Sequence, residues 1–98
     1  MKITKNQNGT CLNIAVQGRM DTTTAPELEK ELRESLDGVT ELTLDFSKLD
    51  YISSAGLRVL LSAHKTMRDK GSMKVTNANE IVQEVFDVTG FSDILTIE

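Results

Sequence analysis

Leu49-Asp50-Tyr51-Ile52-Ser53-Ser54-Ala55-Gly56-Leu57 marks the passage from a loop into the longest helical pattern of the chain, and the fold can be read outward from it. Downstream, Leu57, Leu60, Leu61, His64 and Met67 share one face of a helix from Ser54 to Lys70, with Lys65, Arg68 and Asp69 opposite and Gly71 as its stop. Upstream, Leu42, Leu44 and Phe46 alternate with Thr43 and Asp45 as a strand, which leaves Ser47 to Ile52 as a loop. At such a junction Ser53 or Ser54 serves as the helix N-cap. Gly56 has no such explanation, because glycine in a helix costs about 0.5 to 1 kcal/mol relative to alanine. A close approach by another group is expected there.

Further out, Ile3-Thr4-Lys5 and the segment Thr10 to Gln17 flank Asn6-Gln7-Asn8-Gly9, whose Asn-Gly step suits a tight antiparallel hairpin. In the second strand Leu12, Ile14 and Val16 alternate with Asn13, Ala15 and Gln17, and Gly18 ends it. Ala25, Leu28, Leu32 and Leu36 then form a helical stripe, with Thr24 and Glu27 in capping-box spacing, Pro26 in the first turn and Gly38 past the end. Beyond Gly71, Met73-Lys74-Val75 reads as a short strand. Asn77 with Glu80 caps a third helix whose Ile81, Val82, Val85 and Phe86 face inward before Gly90, and Ile94, Leu95 and Ile97 form a last strand. The third helix is read as packing only. The pattern predicts one α/β domain over residues 1–98, a mixed sheet of about four to five strands with an N-terminal antiparallel hairpin, covered by helices.

Composition narrows the function. With 98 residues, 39% hydrophobic and 27% charged, the chain can bury one core. A net charge of -4 repels phosphate backbones and anionic lipids, and three Phe, one Tyr and no Trp provide no stacking platform for single strands. Direct nucleic-acid or membrane binding is not expected. The single cysteine, Cys11, makes no internal disulfide and packs as a small apolar residue; with no signal-peptide pattern, the expected compartment is the cytoplasm.

The search for catalytic chemistry is largely negative. Lone His64 and Cys11 cannot make a zinc site, and His64 reads as a core or rim histidine. There is no phosphate-binding glycine loop and no GxSxG elbow. Ser54 has no base, since the only histidine lies ten residues further along the same helix, about 15 Å away at 1.5 Å per residue. Asp21, Asp45 and Asp50 at strand ends are the remaining candidates for a divalent ion, with nothing in their spacing to fix a geometry.

The order of elements, the run Gly18-Arg19-Met20-Asp21-Thr22-Thr23-Thr24-Ala25 and the run Leu49 to Leu61 together resemble a STAS domain. More narrowly, the whole chain resembles the stand-alone bacterial anti-sigma-factor antagonists. That resemblance implies no catalytic residue, metal or cofactor. It implies a serine phosphorylated by a kinase-type anti-sigma factor and dephosphorylated by a metal-dependent phosphatase. The matching position is Ser54. The family often has Asp before that serine and Ser or Thr after it, whereas this chain has Ser53 and Ala55, so Ser53 is a second candidate. Asp21 matches an acidic residue beside the serine, and Asp45 a polar position near the end of the third strand.

The partner-binding positions that follow are Asp21, Thr22, Thr23, Asp50, Ser53, Ala55, Gly56 and Arg58, with Ala55 and Gly56 keeping the helix entrance slim enough for a kinase. A phosphate there adds about -1.5 to -2 charges, which a helix N-terminus tolerates and a partner surface fitted to a hydroxyl does not. The competing expectation is a constitutive, unphosphorylated STAS subunit or scaffold, for example in a lipid-transport ATPase, which would need an exposed apolar patch; Phe91 and Ile94 are its modest candidates.

Overall fold

The computed structural model describes residues 1–98. In chain order it contains β1 (Lys2–Asn8), β2 (Cys11–Met20), α1 (Ala25–Ser35), β3 (Glu41–Ile52), α2 (Ser54–Lys70), β4 (Ser72–Thr76), α3 (Glu80–Thr89), a 3-10 turn (Phe91–Asp93) and β5 (Thr96–Ile97). The strands line up in sequence order, β1-β2-β3-β4-β5, with β1 antiparallel to β2 and every later pair parallel. Three successive crossovers of one hand put α1, α2 and α3 on the same face of the sheet.

That face carries the core. Leu12, Ile14 and Val16 of β2, Leu42, Leu44 and Phe46 of β3, and Met73 and Val75 of β4 meet Leu28 and Leu32 of α1, Leu57, Leu60 and Met67 of α2, and Val82 and Phe86 of α3 in one apolar cluster. No polar or charged side chain is buried in it. The opposite face, with Asn13, Thr43 and Lys74, lies open, so the helices cover one side of the sheet only. No helix is long and apolar enough to cross a membrane.

Several local expectations are corrected. Ser47 to Ile52 is not a loop: β3 continues through it and pairs with β2 as Gln17↔Lys48, Gly18↔Leu49, Arg19↔Tyr51 and Met20↔Ile52. Register shifts on either side of Gln17 and Gly18 break the period of two, so Phe46, Leu49 and Ile52 are buried at a spacing of three. Gly18 does not end β2 but sits inside it at φ +105°, a conformation that glycine supplies without steric cost.

The hairpin is also tighter than expected, because Asn8 pairs with Cys11 and only Gly9 and Thr10 turn. Cys11 is exposed rather than packed, its thiol donating to Glu41 Oε2 at 2.9 Å. That bond, the leading cause, holds the thiol pKa above its ordinary value. In α3 the cap is Asn79, not Asn77, which takes a left-handed φ of 61°. Ile81 points outward, 57% exposed.

Candidate functional site at the carboxyl ends of β2 and β3

β2 and β3 end together, and the Ser53 N–H donates to the Met20 carbonyl at 2.8 Å, one rung beyond the strand. Asp21, next after Met20, is thereby brought beside the start of α2. The Arg19 guanidinium lies 4.6 Å over the Tyr51 ring in the preceding rung, a cation–π contact that no local pattern announced. Asp50 is the extra residue of β3 at the second register shift, since Leu49 pairs with Gly18 and Tyr51 with Arg19; it is exposed.

The loop into α1 is organised by Asp21. Its Oδ1 accepts from the N–H groups of Thr23 and Thr24, both at 3.0 Å, while the Asp21 N–H donates to Thr24 Oγ1 at 2.9 Å. Thr24 Oγ1 in turn donates to the Arg19 carbonyl at 2.7 Å. The expected Thr24–Glu27 capping box is therefore absent; Thr24 caps with no side-chain bond into its own helix, and Asp21 provides the local acceptor instead. These bonds, the Thr24 N–H foremost, hold the Asp21 carboxyl below the usual aspartate range. Thr22 and Thr23 are exposed at the tip.

The two serines of the α2 entrance differ in a way the sequence left open. Ser53 is the N-cap residue, yet its side chain makes no cap bond, and its Oγ is buried with no hydrogen-bond partner. Ser54 begins the helix and is exposed, Ala55 is half-buried, and Arg58, one turn later, is exposed. Helical neighbours four apart share a face, so Ser54 and Arg58 are side by side. No acidic side chain occupies the first turn of α2.

Gly56 is buried, and the close approach that demands glycine there comes from within the chain. A Cβ at Gly56 would stand 2.7 Å from Ile52 Cγ1 and 2.8 Å from Met20 Sδ, the last residues of the two paired strands. Gly56 thus seats the start of α2 on the strand ends.

The structure does not gather the three candidate carboxylates. Asp45 lies back along β3, opposite Ala15 and Thr76, where its Oδ1 accepts from the Ser47 N–H at 3.0 Å and Asn77 Nδ2 at 3.1 Å. Those two bonds, in that order, lower its pKa. It is not near the end of its strand, because β3 continues to Ile52. No group of three His, Cys, Asp or Glu side chains is placed to hold a metal ion. The half-buried His64 lies well along α2, and a cavity of about 470 Å³ also lies beyond the α2 entrance, floored by Leu32, Leu36, Val59 and Ala63.

One second-layer link was not legible beforehand. Asn79 caps α3 by accepting from the Val82 N–H at 2.8 Å and donates through Nδ2 to the Leu49 carbonyl at 3.0 Å. It ties α3 to the stretch of β3 that β4 does not pair.

Comparison with known proteins agrees with this architecture. The STAS domain model matches residues 2–98. BtrV of Bordetella bronchiseptica is 37% identical over 99% of this chain and 85% of its own length. The anti-sigma-B factor antagonist of Bacillus subtilis is 31% identical over 97% of this chain and 86% of its own. Among solved structures, the anti-sigma factor antagonist SpoIIAA in its unphosphorylated form superposes with a TM-score of 0.86 at 16% identity, covering 99% of this chain and 88% of that one. Its phosphorylated form gives 0.77 at 15% identity, covering 99% and 91%. The family match along nearly every residue, with relatives more than 30% identical over almost the whole chain, leads to one conclusion: the chain belongs to the STAS domain family.

Proposed function

We propose that the protein is a cytoplasmic anti-sigma-factor antagonist that binds a kinase-type anti-sigma factor while Ser54 is unmodified and is released when Ser54 is phosphorylated. A metal-dependent serine phosphatase would reset it. The protein is then a regulatory substrate and performs no catalytic step. The observation that carries this reading is the division between adjacent serines: Ser54 is exposed, whereas the Ser53 hydroxyl is buried beneath the entrance. A kinase needs a reachable hydroxyl, which makes Ser54 the target and Ser53 a supporting residue.

The surroundings suit a phosphate that comes and goes. The first-turn N–H groups of α2 lack a side-chain acceptor from Ser53, and the first turn contains no acidic residue. Arg58 stands where an i, i+4 cation can pair with phosphoserine. The folded domain therefore accommodates the modification. A partner resting on Ser54, Thr22, Thr23 and Asp50 would meet new bulk and charge, and the interface would be blocked rather than the fold destroyed.

The test is phosphopeptide mass spectrometry on the protein from its native cells in growing and stressed states, with Ser54→Ala as control. Phosphate on Ser54 whose occupancy changes, together with loss of partner binding in Ser54→Asp, is the expected result. An unmodified Ser54 in every state with a partner still co-purifying would replace this reading with a constitutive subunit.

A further inference from the structure

We infer that the outer face of α3 is a docking surface for an apolar helix flanked by lysine or arginine on another protein. It goes beyond the switch at Ser54 and does not require it. The exposed large hydrophobic residues of the molecule are Ile81 at 57%, Val88 at 76% and Ile94 at 43%, and all belong to α3 or the turn after it. Ile81 and Val88 are seven residues apart with half-buried Val85 between, so the three form one stripe along the helix.

Folding does not call for that stripe. α3 is anchored by fully buried Val82 and Phe86 on its inner side, closed at its start by Asn79 and at its end by left-handed Gly90. Apolar side chains directed at water on an already satisfied helix are instead suited to a partner.

Charge identifies the partner's chemistry. Residues 77–98 hold Glu80, Glu84, Asp87, Asp93 and Glu98 and no lysine or arginine, whereas all 11 basic residues of the chain lie before them. The first 76 residues hold 11 basic and 10 acidic side chains, a net +1, so the last segment alone carries -5 against the whole chain's net -4. Lys74 reaches Glu98 at 3.5 Å, and no ion pair engages the three carboxylates of α3 itself. A second copy would oppose acidic face to acidic face, which like-charge repulsion disfavours. A basic amphipathic helix satisfies both the stripe and the carboxylates.

The experiment uses the full chain, labelled with nitrogen-15, and two synthetic helical peptides of about 18 residues, one of leucine and lysine and one of leucine and glutamate. The expected result is shift changes centred on residues 80–94 with the lysine peptide and none with the glutamate peptide. Affinity should fall at least tenfold in Ile81→Ser/Val88→Ser, and fall again as salt rises from about 50 to about 300 mM. Both substitutions lie on the surface, so the spectrum of the free variant should remain that of the folded protein. Changes centred on α1 or elsewhere, equal binding of both peptides, or undiminished affinity in the variant would overturn the proposal. So would a dimer of the free protein, seen in sedimentation and abolished by the same substitutions, since it would make a second copy the occupant.

Discussion

α2 and α3 begin in the same way, with an extended residue at the N-cap, and are finished differently. At α3 the chain supplies its own cap: Asn79 accepts from the Val82 N–H and donates to the Leu49 carbonyl, and Glu80 supplies a carboxylate in the first turn. At α2 the N-cap serine bonds to nothing through its side chain, no acid fills the first turn, and the third helical residue is a glycine pressed on Met20 and Ile52. A helix start capped by its own asparagine and carrying its own first-turn carboxylate is poorly suited to an arriving anion. One that is held by packing and left unpartnered at its N–H groups is open to an anion that arrives later.

The contrast can be broken at several points. At Gly56→Ala two effects oppose each other. Helix propensity alone favours alanine by about 1 kcal/mol, but the added methyl must displace Ile52 Cγ1 and Met20 Sδ, and overpacking of this kind costs about 1–3 kcal/mol. A net loss in urea denaturation is expected, and a gain would show that packing does not hold the α2 entrance.

The two caps come next. Asn79→Ala should lower stability by about 1–2 kcal/mol through loss of a cap and of the tie to β3. Ser53→Ala, which removes a hydroxyl with no partner, should stay within about 0.5 kcal/mol of the parent. Equal losses in the two variants would erase the difference between the helix starts.

A smaller effect is expected at Arg58. In protein carrying phosphoserine at position 54, Arg58→Gln should raise the phosphate pKa, read by phosphorus NMR, by an amount corresponding to about 0.2–0.5 kcal/mol. An unmoved titration would leave the backbone N–H groups as the only hold on the phosphate. Smallest of all is the acid response of the α1 loop. The folded pKa of Asp21 is depressed by its bonds to Thr24 and Thr23, so its contribution is present above the unfolded pKa, about 3.9, and is lost as pH falls through the lower folded value. Asp21→Asn should therefore differ from the parent in thermal melts near neutral pH and converge with it in acid. A constant gap across that range would deny the carboxylate its role.

Local pattern was a good guide wherever one element met one neighbour in step. The helix from Ser54 to Lys70 follows from its apolar face and the glycine stop, and β2 from its alternation. The same reasoning lost the second half of β3, because the register shifts opposite Gln17 and Gly18 move Leu49 and Ile52 out of a period of two. Asn77 and Asn79 are equivalent cap candidates in the sequence, until the backbone puts Asn77 in a left-handed conformation and leaves Asn79 to cap the helix. Local pattern turned Ile81 inward, although only Val82 and Phe86 are needed to fill the core at α3.

The alternation of strands and helices, the Ser-Ser-Ala-Gly entrance to α2, the absence of catalytic motifs and the resemblance to STAS domains are all legible along the chain, because each depends on residues close together in it. Which serine is exposed and why Gly56 must lack a side chain follow instead from tertiary contacts. Those outcomes depend on Met20 and Ile52 meeting side by side beneath the helix, a contact between distant segments that the parallel pairing of β2 and β3 creates.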